Sequence, residues 1–241
     1  MTFNSPAEKQ QYVNTMFARI AHRYDVMNRV MTAGQDKRWR KLLIEQAQLP
    51  PNGALLDIAT GTGDIAFEAL RQHPNLEQVV GADFTLSMMR VGQQRWAGKN
   101  GQPFKSHLSW SGADTLHLPF PNNSFDAVVS GFLMRNVTDV GGALVEQVRV
   151  CKSGGRVLIL EIPRPADNWF GRLFRLYFHN VVPLAGGLIT GQRDAYTYLP
   201  ASADAFLRPD ELKTAMETAG LRNVSYTMLM FNTIALHVGV K

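Results

Sequence analysis

The stretch LLDIATGTGDIA, residues 55–66, constrains this chain more than any other. Leu55–Ala59 is a short apolar run of the kind that forms a buried strand. Gly61 and Gly63 let the backbone turn tightly out of it, and residues from Asp64 to about Gln72 read as a helix. The texture then repeats. VVGAD (79–83) precedes a helical segment from Leu86 to Trp96, DAVVS (126–130) precedes another from Gly141 to Val150, and GRVLILEI (155–162) follows. Strands alternating with helices of this length predict an α/β fold, a Rossmann-like, doubly wound, mostly parallel sheet. Its crossovers are right-handed and its ligands lie at the carboxyl ends of the strands. SYTMLMF (225–231) and TIALHVGV (233–240), parted by Asn232, predict an antiparallel C-terminal hairpin, after a helix opened by Pro209-Asp210 and ended by Gly220.

Two segments stand outside this alternation. Residues 5–48 read as an N-terminal helical segment broken near Thr32-Ala33-Gly34, and residues 163–200 as an inserted helical cap. Both belong to one domain spanning 1–241, a size that one α/β core accommodates. The cap carries Trp169, Phe170, Leu173, Phe174, Tyr177 and Phe178 at helical spacing; taken alone, such a stripe reads as core-facing. Charge concentrates in the same two segments. Residues 1–50 hold eight basic and four acidic side chains, residues 151–200 six and three, within a formal net charge of +5. This excess suits an anionic lipid surface or an acidic ligand, and equally a solvated face. The single cysteine, Cys151, excludes an internal disulfide and multi-cysteine zinc patterns, and the six histidines show no ligand spacing, so no metal is assigned. No apolar run resembles a signal peptide or a membrane span, which predicts a cytoplasmic protein, with peripheral contact at the inner face of the membrane left open.

The glycine turn followed by a helix offers backbone N–H groups and a positive dipole end to an anionic group. Gly61-x-Gly63-x-x-Ala66 matches a dinucleotide fingerprint, and Asp83 ends the second strand where a ribose-binding acid is expected. Two features favour S-adenosylmethionine over a dinucleotide. Asp57 lies in the strand four residues before Gly61, where a pyrophosphate would be repelled and a cationic ligand tolerated. SGADTLHLPFPNNSFDAVVS (111–130) places Asp114 before a Leu-Pro-Phe loop, a pattern similar to the adenine-gripping segment of class I methyltransferases. Gly61, Thr62 and Gly63 are then expected to cradle the methionine end, Asp83 to accept from the ribose hydroxyls, Phe84 to pack on the adenine, Asp114 and Thr115 to meet the adenine edge, and Gly131 to complete the site.

Four further blocks resemble the ubiquinone/menaquinone biosynthesis C-methyltransferases from about residue 16 to the C-terminus. They are Tyr24-Asp25-x-Met27-Asn28 with Trp39, Arg135-Asn136-Val137-Thr138-Asp139, Arg149-Val150-x-Lys152-x-Gly154-Gly155 with Glu161, and Tyr196-x-Tyr198-Leu199. The resemblance implies a seven-stranded sheet and methylation of a ring carbon of a prenylated quinol, demethylmenaquinol to menaquinol in the menaquinone branch. It also implies that Arg135 and Asn136 act at the site. An arginine is a poor base, so Arg135 is expected to steady the phenolate or orient a water. Asn28, Tyr196 and Tyr198 are candidates for the quinol oxygens. The chain departs from the family at Thr32 and Asp36, where serine and histidine are usual, at Gly191-Gln192, where Asn-Asp is common, and at Ser153 and Pro163.

The expected partner is a prenylated quinol. No nucleic acid is expected, and a homodimer is left open. Competing readings are an O- or C-methyltransferase for another aromatic or lipid, an NAD-dependent reductase, and a non-catalytic lipid-binding module. The reductase lacks a Tyr-x-x-x-Lys pair, and the binding module leaves the ordered Asp57, Asp83 and Asp114 unexplained.

Overall fold

A computed structural model describes residues 3–98 and 107–241. Three helices come first: α1 (Pro6–Ile20), α2 (Tyr24–Met31) and α3 (Asp36–Ala47). The alternating unit follows as β1 (Ala54–Ile58), α4 (Asp64–Gln72), β2 (Gln78–Asp83), α5 (Leu86–Ala97), β3 (Leu108–Gly112), β4 (Phe125–Gly131), α6 (Val140–Val150) and β5 (Cys151–Glu161). Then come α7 (Trp169–Thr190), α8 (Arg193–Asp204), α9 (Pro209–Thr218), β6 (Arg222–Leu229) and β7 (Ile234–Val240). The seven strands form one sheet in the order β3-β2-β1-β4-β5-β7-β6. β1 to β5 are mutually parallel, and β7 lies antiparallel between β5 and β6. The order reverses beside β1, so β1 and β4 flank the switch point at which such sheets bind ligands.

Local chemistry places the helices. Ser5, Asp139 and Asn168 cap α1, α6 and α7, each side chain accepting from a backbone N–H three residues on, which satisfies donors a helix start leaves open. α7 ends at Gly191 with φ +75 and turns back into α8. Gly186 makes that hairpin close, because a Cβ there would lie 2.2 Å from the Tyr196 ring. Apolar side chains of α3 and α4 bury one sheet face, those of α6 and α9 the other. A third cluster joins Met16, Ile20 and Met27 to Phe178, Val182, Tyr196 and Tyr198, and seats the N-terminal helices against the cap.

Several boundaries differ from the sequence expectation. β3, with its mixed Leu-Ser-Trp-Ser-Gly pattern, lacks the apolar run that marks the other parallel strands, because it is the sheet edge. The C-terminal turn spans four residues rather than Asn232 alone, with Met230, Phe231 and Asn232 all in the left-handed region. The N-terminal segment breaks a second time, between Ile20 and Tyr24. The cap stripe is core only in part. Phe178 is buried and Phe170 and Phe174 are half-buried, but Trp169 and Leu173 are exposed, Trp169 by 77%. Leu176, Leu184 and Leu188 extend that open face along α7. No helix among the described residues is long and apolar enough to cross a membrane.

Candidate active site

A cleft of about 1150 Å³ opens over the carboxyl ends of β1, β2 and β4. Gly61 stands at φ +57 and Gly63 at φ +85, conformations that L side chains avoid. Gly63 has a second reason to be glycine: a Cβ would lie 2.6 Å from Trp110 and 2.9 Å from Phe67. Asp83 organises the turn. Its Oδ2 accepts from the Gly61 N–H at 2.8 Å and its Oδ1 from the Thr85 N–H at 2.6 Å. Burial pushes its carboxyl up, and these N–H groups oppose the shift. A carboxylate has about four lone-pair sites, so ligand hydroxyls can still donate to it. Asp114 Oδ1 accepts from the Leu116 N–H at 3.0 Å, and its Oδ2 from Gln10 Nε2 of α1 at 3.0 Å. The buried Thr115 hydroxyl has no partner among the described residues and lines the cleft, as do Thr62, Phe84 and Gly131. Helix α1 covers the cleft with Gln10, Val13, Asn14 and Phe17.

Asp57 and Gly63 do not line this cleft. Asp57 is fully buried one layer behind the turn, where its Oδ2 accepts from the Thr60 hydroxyl at 2.6 Å and the Ala66 N–H at 3.2 Å while its Oδ1 has no partner among the described residues. It thus caps the first turn of α4 from inside. Burial raises its pKa to about 7, against the hydrogen bonds from Thr60 and Ala66, so the strand carboxylate is not a full negative charge facing the ligand. A pKa raised on folding stabilises the protein fully below the unfolded value, near 3.8, and that contribution is lost as pH rises through about 7. Asp57→Asn is therefore expected to stabilise the protein by about 4 kcal/mol at pH 8 and by little at pH 4, measured by urea denaturation at both pH values.

A second cavity, of about 930 Å³, lies between α1–α3 and the cap. Most of its wall is apolar, with Met16, Ile20, Met31, Phe174 and Val182 among the lining residues. Four residues, Phe17, Tyr24, Arg40 and Phe132, line both cavities, so they form the partition between them. Arg135 and Asn136, adjacent in sequence, face different chambers. Arg135 lines the second cavity, ion-paired to buried Glu161 and donating to the Phe132 carbonyl at 3.1 Å, with its Nε unpartnered among the described residues. Asn136 lines the cleft; its Nδ2 donates to the same carbonyl at 3.0 Å and its Oδ1 accepts from the Tyr198 hydroxyl at 3.1 Å. Phe132 holds φ +60, a strained conformation for an aromatic residue at the junction. Asn28, Tyr196 and Tyr198 all line the second cavity. Burial pushes both tyrosines up to about 12, so both hydroxyls keep their protons at neutral pH and can donate hydrogen bonds.

Sequence reasoning missed Phe17, Arg40 and the Gln10 contact to Asp114. No local spacing announces them, because they act from helices that fold back over a sheet whose first strand is still to come. Tyr24 appeared in a family block, with no role in the site assigned to it.

A model described as the ubiE/COQ5 methyltransferase family matches residues 6–241. The chain belongs to that family. A demethylmenaquinone methyltransferase of Roseiflexus castenholzii is 42% identical over 236 residues, which cover 98% of this chain and 96% of that one. A ubiquinone/menaquinone biosynthesis C-methyltransferase of Desulfotalea psychrophila is 41% identical over 229 residues, covering 95% and 90%. Among solved structures, a chain of the complex between the Haloferax volcanii Trm112 methyltransferase activator and a methyltransferase has a TM-score of 0.66 at 18% identity, covering 93% and 96%, a likeness of fold.

For this ubiE/COQ5 methyltransferase family member the methyl donor is S-adenosylmethionine. The cleft fits it on its own chemistry. A nucleoside carries ribose hydroxyls, which suit the remaining lone pairs of Asp83. It also carries an adenine, which offers polar atoms to the orphaned Thr115 hydroxyl and to Asp114, while the glycine turn leaves room for close backbone approach.

Proposed function

We propose that this protein methylates a ring carbon of a prenylated quinol, with demethylmenaquinol as substrate and menaquinol as product. One observation carries the reading: a mostly apolar cavity adjoins the cofactor cleft through a thin shared partition whose rim is polar. A quinol ring needs hydrogen-bonding groups at its oxygens, and its isoprenoid tail needs an apolar wall. Here Tyr24, Asn28, Arg135, Tyr196 and Tyr198 supply the first and apolar side chains of α1, α2, α3 and α7 the second.

When bound, S-adenosylmethionine supplies a methyl group activated by its sulfonium. Asp83 holds the ribose, Asp114 and Thr115 the adenine edge, and Phe84 one adenine face. Gly61, Thr62 and Gly63 shape the methionine end, Gly131 lines the cleft where a Cβ would lie 2.8 Å from Ile65, and Asp57 fixes the turn from behind. Asn28, Tyr196 and Tyr198 orient the quinol oxygens, while Arg135 steadies the charge that grows on oxygen as the hydroxyl proton leaves. Asn136, fixed by Tyr198 and Phe132, links the two chambers. Holding the two reactants in register is itself worth several kcal/mol, about 7–11 at best. α1 and the cap cover the junction. The open face of α7, with Trp169, Leu173 and Leu188, and the adjacent Phe231 suit peripheral contact with the membrane that holds the substrate.

Incubation of the protein with S-adenosylmethionine and reduced demethylmenaquinone is expected to give a product one methyl heavier by mass spectrometry. Normal cofactor binding without that product points instead to another aromatic acceptor.

A further inference from the structure

Ionising a quinol hydroxyl inside an apolar cavity creates a buried negative charge, which is costly without a cation beside it. Two guanidiniums line this cavity, and their surroundings differ. Arg135 is paired one-to-one with Glu161. Arg40, on α3, lies in the partition facing both chambers, 7% exposed, between Asp36 and Asp64. Asp64 Oδ2 is 2.9 Å from Arg40, but Asp64 also binds Arg95 at 2.7 Å and approaches Arg29 at 3.9 Å. Asp25 shares Arg95 at 2.6 Å and takes the Thr62 hydroxyl. Asp64 is thus divided among three arginines, and among the described residues Asp36 is the carboxylate that belongs to Arg40 alone. Asp36 lines the quinol cavity, is 2% exposed, and contacts Thr32 Oγ1 at 3.2 Å with its other oxygen. The remaining titratable groups around Arg40 are Tyr24 on α2, which burial keeps protonated, and Asp57 of β1, fully buried behind the glycine turn, while Tyr196 and Tyr198 on α8, which line the same cavity, stay neutral.

We propose that Arg40 is the second cation serving the ionising quinol oxygen, and that Asp36 acts through it as a positioning residue that sets how much positive charge the oxygen meets. The inference rests on the quinol reading of this cavity. The hydroxyl gives its proton to water and keeps the bond pair, which the ring shares with the carbon to be methylated. With Asp36 present, Arg40 is neutralised by its own partner. Without that carboxylate the cavity gains one unit of positive charge beside the oxygen, and the quinolate forms at lower pH. The carboxylate at position 36 thereby matches the site to a substrate of a given acidity.

The test uses a redox-stable probe, 2-prenyl-1-naphthol, bound to the full-length protein, its naphtholate absorbance followed against pH. In parallel, the pH profile of demethylmenaquinol methylation is recorded. Asp36→Asn is expected to lower the naphthol midpoint by about one pH unit, the effect of one close charge, and to move the rising limb of turnover the same way. Asp36→Asn with Arg40→Lys keeps the cation and the lowered midpoint. Asp36→Asn with Arg40→Met removes both charges together, which guards against a misfolded single variant, and returns the midpoint toward wild type. Thermal melts verify folding of each variant. An Asp36→Asn midpoint unchanged in a folded protein, a double variant that does not return, or a probe that does not bind overturns the proposal. If wild type leaves demethylmenaquinol unmethylated while the naphthol series behaves as described, the charge assignment stands and the substrate reading falls.

Discussion

Asp83→Ala is expected to weaken S-adenosylhomocysteine binding by a hundredfold or more in calorimetry. Two charge-assisted hydrogen bonds to ribose hydroxyls, at about 1.5–3 kcal/mol each, account for about 3–6 kcal/mol. The same carboxylate holds the Gly61 and Thr85 N–H groups, so part of the loss comes from a loosened turn rather than a missing ligand contact. A ligand lacking both ribose hydroxyls separates the two. In the wild type it binds far more weakly than S-adenosylhomocysteine; in Asp83→Ala that difference collapses, because the partner of the hydroxyls is gone. An Asp83→Ala protein that still discriminates the two ligands refutes the ribose assignment, and unchanged affinity refutes it more simply.

The cofactor half of the site was legible because it is local. Strand, glycine turn, helix and strand-end acid follow one another within thirty residues, and each has a backbone reason to be where it is: Gly63 could not carry a side chain against Trp110 and Phe67. Asp57 shows the limit of such reasoning. Its position relative to Gly61 suggests a charge facing the ligand, yet depth in the sheet decides its chemistry, and burial makes it a cap for α4 that titrates near neutrality. The partition between the chambers was not legible at all. Phe17, Tyr24 and Arg40 come from α1, α2 and α3, and Phe132 from the end of β4, so only tertiary packing brings them together. The apolar stripe of the cap was legible only in part. Helical spacing of Trp169 to Phe178 reports a one-sided apolar face but not what covers it, and here much of that face is open.

Arg135 gives the other large effect, and the structure changes how it must be measured. From sequence, Arg135→Ala is expected to cut turnover while cofactor affinity holds, which agrees with a side chain that lines the quinol cavity and not the cleft. Among the described residues Arg135 is also the only arginine paired with Glu161, and both side chains are almost wholly buried, 4% and 1% exposed. Removing one partner of a buried pair leaves an uncompensated charge and typically costs about 3–5 kcal/mol. That is a large share of the roughly 5–15 kcal/mol by which domains of ordinary stability stay folded. The single variant should therefore show a lowered urea midpoint as well as lost activity, and a loss of activity alone proves nothing about chemistry. Arg135→Ala combined with Glu161→Gln removes the stranded charge, and the introduced amide still offers a carbonyl oxygen to the Ile162 N–H that Glu161 now binds at 2.8 Å. The double variant is expected to regain most of the stability while turnover stays down by about a hundredfold or more, the usual cost of losing a group that stabilises developing charge. S-adenosylhomocysteine affinity should remain at the wild-type value throughout. Recovery of turnover along with stability would make Arg135 a clasp that holds the loop after β4 against β5, and would leave Arg40 as the cation that meets the quinol oxygen.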